Sequence, residues 1–235
     1  MPTGLTLAGP APPADPTGGL RRRVRLLLPV EPDAPREAVT PVGRRLRVGL
    51  LGGSFNPAHE GHLHVSLEAL KRLGLDRVWW LVSPQNPLKP RAGMAPFAAR
   101  FASALAMARH PRIRVLDLER RFGTTYTIDL LRRLAGWREY RFVLLLGADN
   151  LAQLPRWRHW EEIVARVPVA VVERHPYVRA ALAGPAARRL AGARVDAAEA
   201  GTLAERSPPA WVYLKVRPHP ASSTAIRATG VWPPG

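Results

Sequence analysis

Two histidines three residues apart, His59 and His62, lie in the string Gly52-Gly53-Ser54-Phe55-Asn56-Pro57-Ala58-His59-Glu60-Gly61-His62. The string directly follows a short apolar run at 46–51. Paired glycines let a backbone turn tightly and approach a ligand closely. Leu63, Leu67, Leu70 and Leu73 recur at helical spacing, so a helix is expected over 62–73, opening near Gly61. Its first N–H groups then face the loop, and a helix start favours phosphate. Two imidazoles at this spacing can face the same anion. A zinc cluster is the competing reading, with His64 as a further ligand. It is disfavoured, because His64 leaves the helix in another direction and the chain has no cysteine or evident distant ligand set.

Four further segments carry polar groups beside turns. Ser83-Pro84-Gln85-Asn86-Pro87-Leu88-Lys89 reads as a loop whose Lys89 can reach a phosphate. Gly123-Thr124-Thr125-Tyr126-Thr127-Ile128-Asp129 precedes a helix, and its backbone N–H groups can hold a carboxylate or phosphate. Gly147-Ala148-Asp149-Asn150 ends an apolar run; Asp149 can accept from ribose hydroxyls or cap a helix. Trp157 follows, and an exposed tryptophan needs something to stack on; Trp160 suits a core. Ser222-Ser223-Thr224-Ala225-Ile226-Arg227 opens a short helix and gathers hydroxyls, N–H groups and a guanidinium for an anion.

The elements that must hold these segments alternate. Strands are expected at 46–51, 77–82, 113–116, 141–146 and 168–172, and helices at 62–73, 96–108 and 127–134. The runs at 141–146 and 168–172 look buried on both faces, as in a parallel sheet. The pattern predicts an α/β fold with a doubly wound, mostly parallel sheet. Ligands of such sheets sit beyond the carboxyl ends of the strands, where these segments fall. Residues 1–45 differ: they are rich in proline and poor in apolar periodicity, so a disordered extension is expected ahead of one domain at 46–235.

The 235 residues hold no cysteine, which excludes disulfides and thiolate metal sites. No apolar run approaches the roughly 20 residues that span a bilayer, and 26–29 is too short for a signal segment. A cytoplasmic protein without membrane attachment is expected. The net charge is +17 and the pI near 11.6. The basic residues are nearly all Arg, dispersed along the chain, and the aromatics do not interleave with them. No specific nucleic-acid partner is therefore expected, although a basic surface attracts anionic nucleotides.

The string 52–62 resembles the nucleotide-binding signature of the nucleotidyltransferases that carry a His-x-Gly-His motif. With the four other segments, in order over about 46–230, the chain most resembles bacterial nicotinate-nucleotide adenylyltransferases. The resemblance implies a Rossmann-like fold and adenylyl transfer from ATP to nicotinate mononucleotide. It implies that His59 and His62 stabilise phosphate charge. ATP contacts would come from Gly52, Gly53, Ser54, Phe55, Lys89, Ser222, Ser223, Thr224 and Arg227. The mononucleotide would meet Thr124, Thr125, Tyr126 and Thr127 at its carboxylate, Asp149 at its ribose and Trp157 at its ring. Mg2+ would be bound mainly through ATP phosphates. Family members usually carry Asp where this chain has Asn56, so Asn56 is given no catalytic role. The oligomeric state is left open. Nicotinamide mononucleotide and phosphopantetheine are the rival acceptors. A class I aminoacyl-tRNA synthetase uses a similar loop but needs a much longer chain.

Overall fold

The run at 46–51 forms the strand β1, Leu46–Gly53, near the middle of a seven-stranded sheet. The computed structural model describes residues 44–85 and 92–232, all within one compact unit, Ala34–Gly235. In chain order β1 is followed by α1 (Glu60–Arg72), β2 (Arg77–Val82), α2 (Phe97–Met107), β3 (Ile113–Leu116), α3 (Leu118–Arg121), α4 (Thr127–Leu134) and β4 (Tyr140–Gly147). Next come α5 (Ala148–Gln153), α6 (Trp160–Arg166), β5 (Val169–Val172), α7 (Val178–Leu182), α8 (Pro185–Arg189), β6 (Arg194–Val195), β7 (Trp211–Leu214) and α9 (Ser223–Ala228). The expected elements are all present with ends shifted by a residue or two. The short helices and β6 and β7 had no periodic signal long enough to announce them.

Every pairing in the sheet is parallel, and the order is β3-β2-β1-β4-β5-β7-β6. The chain winds outward from β1 through β2 to β3, then returns to β4 on the other side of β1. The carboxyl ends of β1 and β4 therefore flank the switch point, where doubly wound sheets bind ligands.

Alternation along the strands feeds two apolar layers. Leu50, Trp79, Leu81, Leu144 and Leu146 pack on one face. Leu51, Trp80, Val82, Val143 and Leu145 pack on the other. Burying each such side chain is worth about 1.5–3 kcal/mol. The adjacent Trp79 and Trp80 are both fully buried, on opposite faces. Trp80 Nε1 donates to Ser66 Oγ at 2.7 Å, and Ser66 Oγ donates to His62 O at 2.8 Å. This chain of bonds seats the first turns of α1 against the sheet. The buried stripe of α1 is narrower than its leucine spacing implies: Leu70 is buried, but Leu67 is 40% exposed.

Residues 1–43 lie outside the described residues, and the expectation of disorder there with them. The boundary drawn at 45 falls just inside the fold. Arg44 donates to both carboxylate oxygens of Asp76, at 3.0 and 2.7 Å, beside the start of β2.

Candidate active site

The signature loop turns at a different residue from the one expected. Gly52 and Gly53 are the last two residues of β1, and the left-handed residue is Phe55, at φ 47°. A non-glycine residue rarely holds that conformation. Phe55 is 2% exposed and stacks on Trp80 with ring centroids 5.2 Å apart. Packing of the ring thus holds the turn that glycine was expected to make. A Cβ at Gly52 would meet nothing within 4 Å, which leaves open space beside the strand end for a ligand.

The loop delivers the chain to α1 through a reciprocal cap. His59 is the N-cap, and its Nδ1 accepts from Gly61 N at 3.1 Å. His62 Nδ1 accepts from His59 N at 3.2 Å. A capping box normally uses Ser or Thr with Glu; here both partners are imidazoles, with ring centroids 4.0 Å apart. Because each Nδ1 is an acceptor, the proton of each neutral ring sits on Nε2. Burial, with nearby Arg174 and His219, pushes His59 down to about 4. At neutral pH His59 therefore acts as an uncharged N–H donor. The cap also consumes the Gly61 N–H, which leaves the helix start one donor fewer for an anion.

Arg100 of α2 holds the loop from beneath. It is 2% exposed. Its guanidinium donates to Ser54 O and Ser83 O at 2.7 Å, Pro84 O at 2.9 Å and Ala95 O at 3.0 Å. The ends of β1 and β2 are thus fixed to each other. Asn56 adds a second clasp: its side chain donates to Gly93 O and accepts from Ala95 N and Trp232 Nε1. An aspartate here could not donate to the Gly93 carbonyl.

The C-terminal helix closes over the same loop. Ser222 caps α9 by accepting from Ala225 N at 3.1 Å, and Ser223 Oγ donates to Pro57 O at 3.0 Å. Arg227 donates to Asn56 O at 2.7 Å and Thr224 Oγ1 at 3.3 Å. The hydroxyls and guanidinium expected to face phosphate are thus partly engaged in pinning α9 to the signature loop.

The other end of the site is built by α4, α5 and the segment after α5. Thr127 opens α4, its N-cap is Tyr126, and no side chain caps it, so the first N–H groups of the helix are left without a side-chain acceptor. Thr125, Tyr126 and Thr127 line the cavity, whereas Thr124 N donates to Glu119 O at 2.9 Å and its side chain is not part of the lining. Gly147, not Asp149, is the N-cap of α5. Asp149 pairs with Arg174 at 3.2 Å, and its Oδ1 is buried without a partner. Trp157 lines the cavity and packs partly on the core, as does Trp160 on the core alone. Arg158 stacks over the Tyr126 ring at 4.9 Å.

A Cβ added at Gly147 would collide with Asp149 Oδ1. Gly147→Ala is therefore expected to displace the carboxylate and weaken the binding of a ribose-bearing ligand in the cavity at least tenfold. Titration calorimetry with a nucleotide checks this; an unchanged affinity would count against a ligand-binding role for Asp149.

One cavity of about 920 Å³ joins these parts, a size suited to small-molecule binding. Gly52, Gly53, Ser54, Phe55, His59 and His62 line it at the signature loop, with Ser222, Ser223, Thr224 and Arg227 beside them. Asp149, Trp157 and the 125–127 turn line the remainder. Lys89 lies outside the described residues. Arg174, His175, Arg217, His219 and Glu119 also line the cavity. Arg174 and His175 follow β5, and Arg217 and His219 follow β7, so the rule that ligands gather at strand ends could have found them once β7 was placed.

The cytidylyltransferase-like family pattern matches residues 50–229. A protein of Parvibaculum lavamentivorans named "Probable nicotinate-nucleotide adenylyltransferase" is 54% identical over 200 residues, 85% of this chain and 98% of that one. A protein of the same name from Cereibacter sphaeroides is 55% identical over 186 residues, 79% of this chain and 98% of its own. The chain belongs to the nicotinate-nucleotide adenylyltransferase family. The fold of the family is seen in a Plasmodium falciparum nicotinic acid mononucleotide adenylyltransferase complexed with NaAD. It is 18% identical, covers 78% of this chain and 83% of its own, and superposes with a TM-score of 0.58. Among the described residues, no helix is long and apolar enough to cross a membrane.

Proposed function

We propose that this protein transfers the adenylyl group of ATP to nicotinate mononucleotide, giving deamido-NAD and pyrophosphate, and that it does so in the cytoplasm. The observation that carries the reading is one cavity that the imidazole pair, the start of α9, the 125–127 turn, Asp149 and Trp157 all line. The names of near-full-length relatives above 50% identity support it. The 5′-phosphate of the mononucleotide attacks the α-phosphorus of ATP in line, and pyrophosphate leaves. The attacking oxygen is already anionic, so the protein contributes positioning and charge stabilisation.

His59 and His62 present Nε2–H to the phosphates, pre-aimed by their backbone bonds. Lys89, Arg227 and the hydroxyls of Ser222, Ser223 and Thr224 hold the phosphate tail. The main-chain ends at Gly52, Gly53, Ser54 and Phe55 leave room for the nucleotide. Thr124, Thr125, Tyr126 and Thr127 form the turn that receives the pyridine carboxylate, Trp157 stacks on the ring, and Asp149 accepts from the ribose. Among the described residues no three His, Asp or Glu side chains gather at a cation's spacing. Side chains at the phosphate end are mainly His and Arg, which fits Mg2+ held by phosphate oxygens and water. The chemistry that ion supplies when bound is neutralisation of phosphate charge. Residues 46–235 act as one catalytic domain.

Pyrophosphate release with ATP, Mg2+ and each pyridine mononucleotide in turn tests the reading. Marked preference for nicotinate mononucleotide is expected. Equal use of both would remove the specificity, and release only with phosphopantetheine would replace the acceptor.

A further inference from the structure

Glu119 is a buried carboxyl group in the wall of the cavity that no step above employs. It is the second residue of α3 and is 8% exposed. One carboxylate oxygen, Oε2, has no hydrogen-bond partner. The Ser83 hydroxyl, just past β2, bonds to the carboxyl group. The Glu119 main-chain carbonyl receives the N–H of Thr124, which ties α3 to the start of the 124–127 turn, and Glu119 lines the same cavity as Thr125, Tyr126 and Thr127. A buried polar atom without a partner in a native fold calls for an explanation.

We propose that Glu119 selects the pyridine substituent: uncharged, it lets the 124–127 turn accept a carboxylate, and ionised, it repels the carboxylate and favours the carboxamide. The inference rests on the reading that a pyridine mononucleotide occupies this end of the cavity. Burial raises Glu119 to about 7, with the Ser83 bond acting in the opposite direction. Glu119 is therefore neutral below about pH 7 and charged above it, so discrimination in favour of the acid should fall as pH rises through neutrality.

The charged groups around it are accounted for among the described residues. On its own element, Arg121 pairs with Asp117 at 2.6 Å and Arg120 lies over the Phe97 ring of α2 at 5.1 Å. Arg100 of α2 is taken up by four carbonyls. From β2 the facing group is the Ser83 hydroxyl. Tyr126 on the turn is covered by Arg158. Elsewhere around the cavity stand His59, His62, His64, His175 and His219, Asp149 paired with Arg174, and Glu173, Arg156, Arg217 and Arg227.

The readout is the ratio of kcat/KM for nicotinate over nicotinamide mononucleotide between pH 6 and 8.5. The ratio cancels titration of the shared 5′-phosphate, and the Glu119→Gln variant separates Glu119 from every other group around the cavity. For the wild type the ratio should fall about tenfold across the range, the scale of one unit of coupling between two carboxylates. Glu119→Gln, neutral and of the same shape, should hold the ratio high and flat. Ser83→Ala removes the bond that favours the ionised form and should move the fall to higher pH. Circular dichroism establishes that each variant is folded; if Glu119→Gln does not fold, the wild-type and Ser83→Ala profiles decide. A flat wild-type ratio, or the same fall in Glu119→Gln, overturns the inference while leaving the adenylyl-transfer reading intact. Use of neither mononucleotide at any pH overturns that reading, and the inference with it.

Discussion

His62→Ala should lower kcat for adenylyl transfer on the order of a hundredfold or more, about 3 kcal/mol of transition-state stabilisation. His62 Nδ1 is tied to the His59 amide, which aims the opposite edge of the ring at the cavity. A donor aimed in advance at developing phosphate charge needs no reorganisation during the reaction, and for that reason its loss is felt in kcat more than in KM. The same substitution removes half of the reciprocal cap on α1 and should cost only about 1 kcal/mol of stability. Turnover and thermal unfolding measured on the same preparation separate the two effects. A folded variant with wild-type turnover would exclude His62 from the chemistry.

Arg100→Met should have the largest effect on stability, about 4 kcal/mol or more. The guanidinium satisfies the carbonyls of Ser54, Ser83, Pro84 and Ala95 from a position almost out of contact with water. Methionine fills much of the volume but leaves those carbonyls without donors, each costing about 1–3 kcal/mol where water cannot reach. For a chain of this size the melting temperature should drop on the order of 10 °C. Arg100→Lys should fall between the two, because a single ammonium cannot reproduce a planar fork. KM for ATP should rise in both variants, since the signature loop loses its anchor. A Met variant melting within two degrees of the wild type would mean that the carbonyls find other donors.

The amide at Asn56 has a related explanation. Where the resemblance in the signature string led to an expected carboxylate, this chain has a group that both donates and accepts, and its surroundings offer it Gly93 O on one side and two N–H donors on the other. The hydrogen-bond pattern around the residue, and not the residue type by itself, shows why an amide fits here.

Much of the architecture could be read directly from the chain. The apolar runs at 46–51, 77–82 and 141–146, and the leucine spacing after His62, contain strand and helix periods long enough to stand out against noise. Glycine, proline and polar residues mark where strands end, and parallel sheets bind ligands at those ends, so the string 52–62, the 124–127 turn, Asp149, Trp157 and 222–227 were all legible as candidate segments, and residues of each line one cavity, Thr124 excepted. Those features are local: each needs only neighbours a few residues away. Tertiary structure alone decided what depends on distant partners. It put the positive-φ residue at Phe55, because the Trp80 ring is there to stack on it. It brought Arg100 under loops from two strands, 46 residues from Ser54 in one case. It drew Asp149 to Arg174 across two strand ends, and set Glu119 in the cavity wall with an oxygen unpaired. Burial and hydrogen-bond satisfaction are properties of the packed chain, and for His59 and Glu119 they determine the charge the residue carries at neutral pH.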